Sequence, residues 1–580
     1  MLLLLLLLIL CWLPLFLRAA LFLSQSVCPP APRRPPLNLE PGRETERLVV
    51  CPVCDDLNAA ALGSVMNAAA GWGRVVVADD GREFKREDLR FKIWPAEGAR
   101  SGSSPAGAAE VTVFRRGTRE GWKAGNVNAA LRAHGEGVRE FVIMDADTVA
   151  AEDFLRALSG RLAEEGGRST GMALACPCLS PLENSARKGQ HGQAGAMPAL
   201  RGVGFIQARL EWNTSQPGAL PRWMGPSVGL HFRTSMRARA ARGFTMFHGH
   251  AAIICMAACH SAGGLPEIVS EDLGFTLRLR ARGWHGVYAD DLIAHEDFPP
   301  TVAAWRKRQD KWLRGTLECL RKEAGPFLKA KTIPLREKTD MLLNAAWLYL
   351  SPLGLAWFAG LALLQPALME RVRQPVRLLK APAWNLVPDL GHWLDGVRLT
   401  LLWSWPVCAV MFFMMLAPLC GSMKGEGGRM KAGVAAEQIS SFSFPPSSFS
   451  FLRLLRFWIA GSYLWLSSLV VETLSLVAGV VTGRARFDNT GASGHGPGWR
   501  VYHANHTLVQ VLEAAAGAWF LERTWALANP WLAVPGLALL TAPLVVRRGW
   551  DCRAMRWLAT LPLLTGLAMV ALTVRELLRG

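Results

Sequence analysis

A chain of 580 residues is too long for one ordinary domain, and with 51% hydrophobic residues and 23 Trp against 4 Tyr it does not read as uniformly soluble. Twelve scattered Cys, several inside apolar runs (Cys11, Cys408, Cys420), exclude a disulfide framework. The formal charge of +18 suits nucleic acid, anionic lipid or an anionic substrate, but much of it (Arg33, Arg34, Lys329, Lys331, Arg336, Lys338, Arg484, Arg486, Arg547, Arg548) flanks apolar segments, so membrane flanks are favoured and no nucleic acid is expected.

Residues 1–23 form a nearly unbroken apolar run without a basic n-region or a convincing cleavage site, which reads as an uncleaved N-terminal transmembrane anchor. Residues 24–44 are a Pro-rich linker. Strands and helices then alternate. Leu48 to Val53 reads as a strand, Asn58 to Ala70 as a helix, Arg74 to Ala78 as a strand ending at Asp79-Asp80-Gly81, and Glu110 to Arg115 as another strand. Lys123-Ala124-Gly125-Asn126 opens a helix over Val127 to Ala133. That order argues for a doubly wound, mostly parallel sheet. Cys51-x-x-Cys54 and Cys176-x-Cys178 lack a second pair at zinc spacing, so no zinc site is expected.

Phe141-Val142-Ile143-Met144 then runs straight into Asp145-Ala146-Asp147-Thr148. A short apolar run is what a strand buried on both faces looks like, and ligands of such sheets bind beyond the carboxyl ends of the strands. Alternation points Asp145 and Asp147 the same way, so two hard oxygen ligands can close on one divalent cation that also holds a diphosphate. A solvated acidic turn is the plain alternative for an isolated Asp-x-Asp.

Asp79-Asp80-Gly81, Lys123-Ala124-Gly125-Asn126, Asp145-Ala146-Asp147, Gln207 in Gly-Phe-Ile-Gln-Ala-Arg, Ser270-Glu271-Asp272 and Arg308-Gln309-Asp310-Lys311-Trp312 stand in an order that resembles membrane-embedded family 2 glycosyltransferases of the cellulose synthase and β-glucan synthase-like branch. The resemblance implies a GT-A-type, Rossmann-like nucleotide-sugar-binding catalytic domain over 45–300, interfacial amphipathic helices over 301–340, and an α-helical multi-span transmembrane region over 341–580. It also implies roles. Asp55 and Asp56, with Asp79 and Asp80, would accept hydrogen bonds from uracil and ribose. Lys123 would sit near the diphosphate, with Gly125 letting the backbone come close. Asp145 and Asp147 would hold Mg²⁺ or Mn²⁺ against both phosphates. Gln207, with Asn213, would face the acceptor. Asp272 would be the base that deprotonates the acceptor hydroxyl, with Glu271 orienting it. Gln309, Lys311, Trp312 and Arg314 would line the acceptor and diphosphate side, although Arg308 and Lys311 depart from the Gln-x-x-Arg-Trp pattern.

Plainer readings stand beside these. Asp55-Asp56 can be a helix cap with acidic first-turn residues, Ser270 can start a capping box, Lys123 can be a solvated helix-start lysine, and Trp312 can be an interfacial anchor.

Candidate spans are Leu342–Leu364, Leu399–Leu419, Phe457–Val481, Leu508–Ala526, Trp531–Val546 and Trp557–Val574. A disordered loop is expected over 421–452, and 483–494 resembles a gating loop. Three candidate crossings before that loop conflict with a cytoplasmic position for it, which a re-entrant hairpin at Ser351-Pro352 or one surface helix repairs. The sequence therefore points to an inverting, metal-dependent transferase. It would take a hexosyl unit from a UDP-sugar to a growing β-glycan, its catalytic domain cytoplasmic and its helices in the lipid bilayer. A lipid acceptor, or a scaffold without activity, is the alternative.

Overall fold

The computed structural model describes residues 44–54, 58–81, 109–170, 202–241, 244–373, 451–483, 485, 505–527 and 529–577. Asp55, Asp56, the expected anchor and linker, the 421–450 part of the expected loop, nearly all of 483–494 and the span Leu399–Leu419 lie outside these residues.

The elements follow in order: β1 (Arg47–Val53), α1 (Ala59–Ala69), β2 (Arg74–Asp79), β3 (Val111–Arg115), α2 (Trp122–His134), β4 (Glu140–Ile143), α3 (Phe154–Thr170) and β5 (Gly202–Trp212). Next are α4 (Ala219–Met224), α5 (Pro226–His231), a π-helical turn over Phe232–Met236, α6 (Arg237–Ala241), β6 (Ala252–Cys255), α7 (Met256–Ala262), α8 (Glu271–Ala281) and β7 (Trp284–Glu296). Helices α9 (Val302–Lys322), α10 (Ala324–Lys329), α11 (Leu335–Ala345), α12 (Leu350–Arg373), α13 (Phe451–Ser467), α14 (Leu469–Thr482), α15 (Thr507–Ala526), α16 (Ala533–Arg548) and α17 (Arg553–Leu577) complete the described chain.

The strands form one sheet in the order β3-β2-β1-β4-β6-β5-β7. Every described neighbour pair is parallel except the two made by β6. Both faces of its centre are apolar, as in a sheet covered by helices on each side. Val49, Cys51, Val75, Val77 and Val142 enter one core, while Leu48, Val50, Val76, Phe141 and Ile143 enter the other. The register aligns Val53 with Asp79, and β1 runs three residues past its last rung with β4, where Val50 pairs with Ile143, so the carboxyl ends of β1, β2 and β4 deliver Asp79, Asp80, Asp145 and Asp147 to one edge. Pro52 is tolerated in this inner strand because it falls past the last rung shared with β4.

The first core runs on from the sheet into α12, α13 and α16 through Trp357, Tyr463 and Leu539. Helix α9 is fixed along α14: the Arg306 guanidinium donates to the Ser467 carbonyl at 2.6 Å, and Arg321 donates to the Gly479 and Val480 carbonyls at 3.0 Å each. These bonds satisfy carbonyls that a helix break and a helix end leave open.

Two of the expected spans are bent. Leu335–Ala345 and Leu350–Gln365 meet at 57°, and Leu455–Ser467 and Leu469–Thr482 at 50°. No described helix is by itself long and apolar enough to cross a bilayer, although these two bent pairs pass the test together. Helix α15, expected as a span, carries Glu513, Glu522 and Arg523.

Candidate active site

The site is assembled around Lys123. The turn before α2 sets it up: Gly121 has φ +70° and Trp122 φ +55°, a conformation that a bulky residue adopts only where the surroundings impose it. The Lys123 ammonium lies 2.6 Å from Asp145 Oδ1 and 3.7 Å from Glu271 Oε1, and it donates to the Gly249 carbonyl at 3.1 Å. The acidic strand end of β4 and the acidic start of α8, 126 residues apart in the chain, thus meet at one cation.

Burial bears on every charge here. It works against the ammonium of Lys123, but Asp145, Glu271 and Asp272 outweigh it and push the group up to about 12. Burial also raises Asp145, yet Lys123, His250 and Lys311 hold it below the usual carboxylate range. Its side chain keeps 30% of its surface open. Asp147 is pushed up to about 7 by burial and by the Asp145, Glu296 and Asp297 carboxylates, against the pull of His250. Glu271 is pushed up to about 7 by burial and Asp272, with Lys123 opposing, and Asp272 is raised by burial against the hydrogen bond it accepts. Lys311 is lowered by burial and by Lys123 and Arg308.

Helix α8 does not begin with a capping box. Ser270 makes no side-chain cap bond, and Asp272 Oδ1 instead accepts from Leu273 N at 2.7 Å. Its position in the first turn still places the carboxylate where the helix dipole favours negative charge.

Asp79 and Asp80 arrive at the same sheet edge already engaged. Asp79 Oδ1 accepts from Gly81 N at 2.6 Å and Oδ2 from Arg115; Asp80 takes a two-pronged bond from Arg116 at 2.6 and 2.7 Å. Arg116 also donates to the Glu120 and Trp122 carbonyls, so Asp80 braces the turn that carries Lys123 through it. A nucleoside here would meet Asp–Arg pairs where bare carboxylates were expected. Gly125 serves the same turn: a Cβ there would lie 2.1 Å from the Glu120 carbonyl oxygen, so it is this turn that needs the glycine.

Gln207 is fully buried beneath the site. Its amide donates to the His250 carbonyl at 3.1 Å and accepts from His248 N at 2.9 Å, binding the segment 248–251. Asn213 donates to Asp297 Oδ1 at 2.9 Å. On α9, Trp312 is 44% exposed, Gln309 and Lys311 are half-buried, and Arg314 pairs with Asp310 at 2.8 Å.

The structure gives further residues of the cleft a place, Arg308 among them. The Arg308 guanidinium stacks 4.7 Å from the Phe298 ring and 4.7 Å from the Trp312 ring, a cation between two aromatic faces. Burial draws it down to about 10, against Glu296 and Asp147, which leaves it charged at neutral pH. Glu296, Asp297 and His250 complete the wall. They come from the segments His248-Gly249-His250 and His295-Glu296-Asp297, and nothing local in the sequence ties either to Asp147.

A mostly parallel α/β sheet whose strand ends gather carboxylates and cations in one cleft marks a ligand-binding α/β domain. Residues 196–420 match the family model described as "Glycosyl transferase family group 2". Glucomannan 4-beta-mannosyltransferase 1 of Oryza sativa subsp. japonica is 24% identical over 344 residues, 57% of this chain and 58% of that protein. Glucomannan 4-beta-mannosyltransferase 7 of Arabidopsis thaliana is 28% identical over 142 residues, 24% of this chain and 26% of that protein. The chain thus spans between about a quarter and three fifths of the length of these relatives. Among solved structures, mannosyltransferase PcManGT from Pyrobaculum calidifontis, in complex with GDP-Man and Mn²⁺, is 17% identical with a TM-score of 0.38, covering 71% of this chain and 94% of that one. Residues 196–420 thus match a family 2 glycosyltransferase domain, and the chain is similar in sequence to glucomannan 4-beta-mannosyltransferases.

Proposed function

We propose that this chain is an inverting, metal-dependent transferase that moves a hexosyl unit from a nucleotide sugar to a β-glycan at the cytoplasmic face of a membrane. The observation that carries this reading is the meeting of Asp145 and Glu271, with Asp272 next in the chain, at Lys123, an arrangement that supports a diphosphate site beside a candidate base. The relatives' names make mannose the first sugar to test.

The residues present fit a divalent ion. Asp147 is crowded by three other carboxylates, a surplus of negative charge that a hard dication relieves. Two carboxylates plus diphosphate oxygens are a donor set that Mg²⁺ and Mn²⁺ accept. Among the described residues no group of three His, Cys, Asp or Glu side chains holds a metal alone, so the donor's phosphates would complete the shell. Bound there, the ion would stabilise charge on the departing nucleoside diphosphate. Lys123 and Lys311 add positive charge on the same side.

Asp272 would take the acceptor hydroxyl proton as that oxygen attacks C1 from the face opposite the diphosphate. The new C1–O bond forms as the sugar–phosphate bond breaks, and the electron pair leaves with the nucleotide. A buried carboxylate with raised proton affinity suits a base. Trp312, held by Arg308, offers an open aromatic face to the acceptor sugar. The two bent apolar helix pairs, together with exposed Val481, Trp525, Trp557 and Leu564, support the multi-pass membrane reading.

The test is nucleotide release by membranes containing this chain, with Mn²⁺ and a panel of UDP- and GDP-hexoses, followed by sizing of labelled product. Metal-dependent release with a growing polymer supports the proposal. A product that partitions into organic solvent makes the acceptor a lipid, and no release from any donor leaves a scaffold.

A further inference from the structure

We propose that His250 is a positioning residue that sets the geometry of the Asp145–Asp147 turn by bridging it to the end of β7. His250 is buried, 7% exposed, and both ring nitrogens are used: Nδ1 lies 2.9 Å from Thr148 Oγ1 and Nε2 3.0 Å from Glu296 Oε2. Thr148 directly follows Asp147, is fully buried, and closes the acidic turn by donating its N–H to the Asp145 carbonyl at 3.0 Å. Nε2–H donates to the Glu296 carboxylate and Nδ1 meets the Thr148 hydroxyl, so one imidazole ties together side chains from two separate elements.

The segment is built to hold that ring still. Gly249, at φ +86°, gives its carbonyl to Lys123; Ala251 N donates to the Ile143 carbonyl at 2.8 Å, at the end of β4. Ala251 has φ +50°, and it and Trp122 are the two non-glycine residues of positive φ among the described residues. Each adjoins a residue that reaches toward Asp145 or Thr148, as expected where backbone strain is retained to pre-set a site. Gln207 holds the His250 carbonyl from behind. Three consecutive residues therefore tie Lys123, Thr148, Glu296 and β4 to one another.

This inference rests on the reading of Asp145 and Asp147 as ligands of a metal-bound diphosphate. The test uses the full chain in detergent. Mn²⁺ binding in the presence of nucleoside diphosphate is measured from the free-Mn²⁺ magnetic resonance signal, beside nucleotide-sugar KM, kcat and the ligand-free Tm. For His250→Ala, half-saturating Mn²⁺ and KM are expected to rise 10-fold or more, with a smaller change in kcat. His250→Gln, which keeps one hydrogen bond, should recover part of the loss. Thr148→Val, which removes the hydroxyl at nearly constant shape, should weaken Mn²⁺ on its own and add nothing in the His250→Ala background. Unchanged Mn²⁺ binding and KM in His250→Ala overturn the proposal. So do a fall in Tm and kcat alone, or independent, multiplying effects of Thr148→Val and His250→Ala. Failure of the metal reading appears instead in the unaltered chain, as Mn²⁺ that does not bind, and it overturns this inference with it.

Discussion

Buried charge is handled in two opposite ways in this molecule. Where α9 meets the helices behind it, Arg306 and Glu513 are 1% and 0% exposed and 2.9 Å apart, and each charge has its opposite beside it. Arg280 and Glu337 repeat the pattern at 2.7 Å under α8. In the cleft, Asp145, Asp147, Glu271, Asp272, Glu296 and Asp297 share Lys123, Lys311, Arg308 and His250, and like charges stand next to like. A paired buried charge contributes to one fixed arrangement. Unbalanced charge in a cleft is what a metal, a phosphate or a proton can complete, and perturbed proton affinities gather where chemistry is done.

The comparison can be broken from either side. Asp272→Asn, which removes the candidate base at constant shape, is expected to cut transfer by roughly 10²- to 10⁴-fold with the ligand-free Tm unchanged or higher, measured by product formation and thermal unfolding. Arg306→Ala leaves Glu513 buried and alone; the expected loss is about 3–5 kcal/mol of stability. Replacing both members by apolar residues of similar size should restore most of it, and an equal loss in the double variant would show that the pair's charges are not what matters.

A pH series sharpens the cleft side. Asp147 is raised to about 7 in the folded chain against an ordinary value of about 3.9, so the folded state holds its proton over that interval and the unfolded state does not. Stability from this group is complete below about pH 4 and is lost as pH rises through about 7. Glu271, also raised to about 7, acts in the same sense. Ligand-free protein should therefore unfold at lower temperature at pH 8 than at pH 6, and Asp147→Asn should flatten that slope. The smallest effect is expected at the edge of the cleft. Trp312→Ala removes one face of the Arg308 stack, an interaction of about 0.5–2 kcal/mol, and should weaken acceptor binding while leaving donor-only nucleotide release nearly unchanged.

Much of the sheet was legible because its signals are local. The apolar runs of β1, β2 and β4 end within two residues of where the sequence puts them, and α1 begins at Asn58, whose side chain accepts from Ala61 N as a cap should. Helix α2 starts five residues earlier than expected, at Trp122, since Lys123 to Asn126 belong to its first turn. The breaks inside two of the expected spans were not legible in the same way. Hydropathy sums over a window and does not register a turn at Ala346–Tyr349 or a break at Ser467, where a guanidinium from another helix takes the freed carbonyl.

By itself the sequence determined which strands would be buried on both faces, that carboxylates would stand at their carboxyl ends, and that acidic and basic motifs would follow in a given order, because side-chain alternation and chain connectivity are properties of neighbours. Only the tertiary structure decided which of those groups would share a cation. It paired Asp79 with Arg115 and Asp80 with Arg116, and it brought His250, Glu296 and Arg308 to Asp147 from segments 103 to 161 residues away. Contacts of that range depend on sheet order and helix packing, which no window of sequence contains.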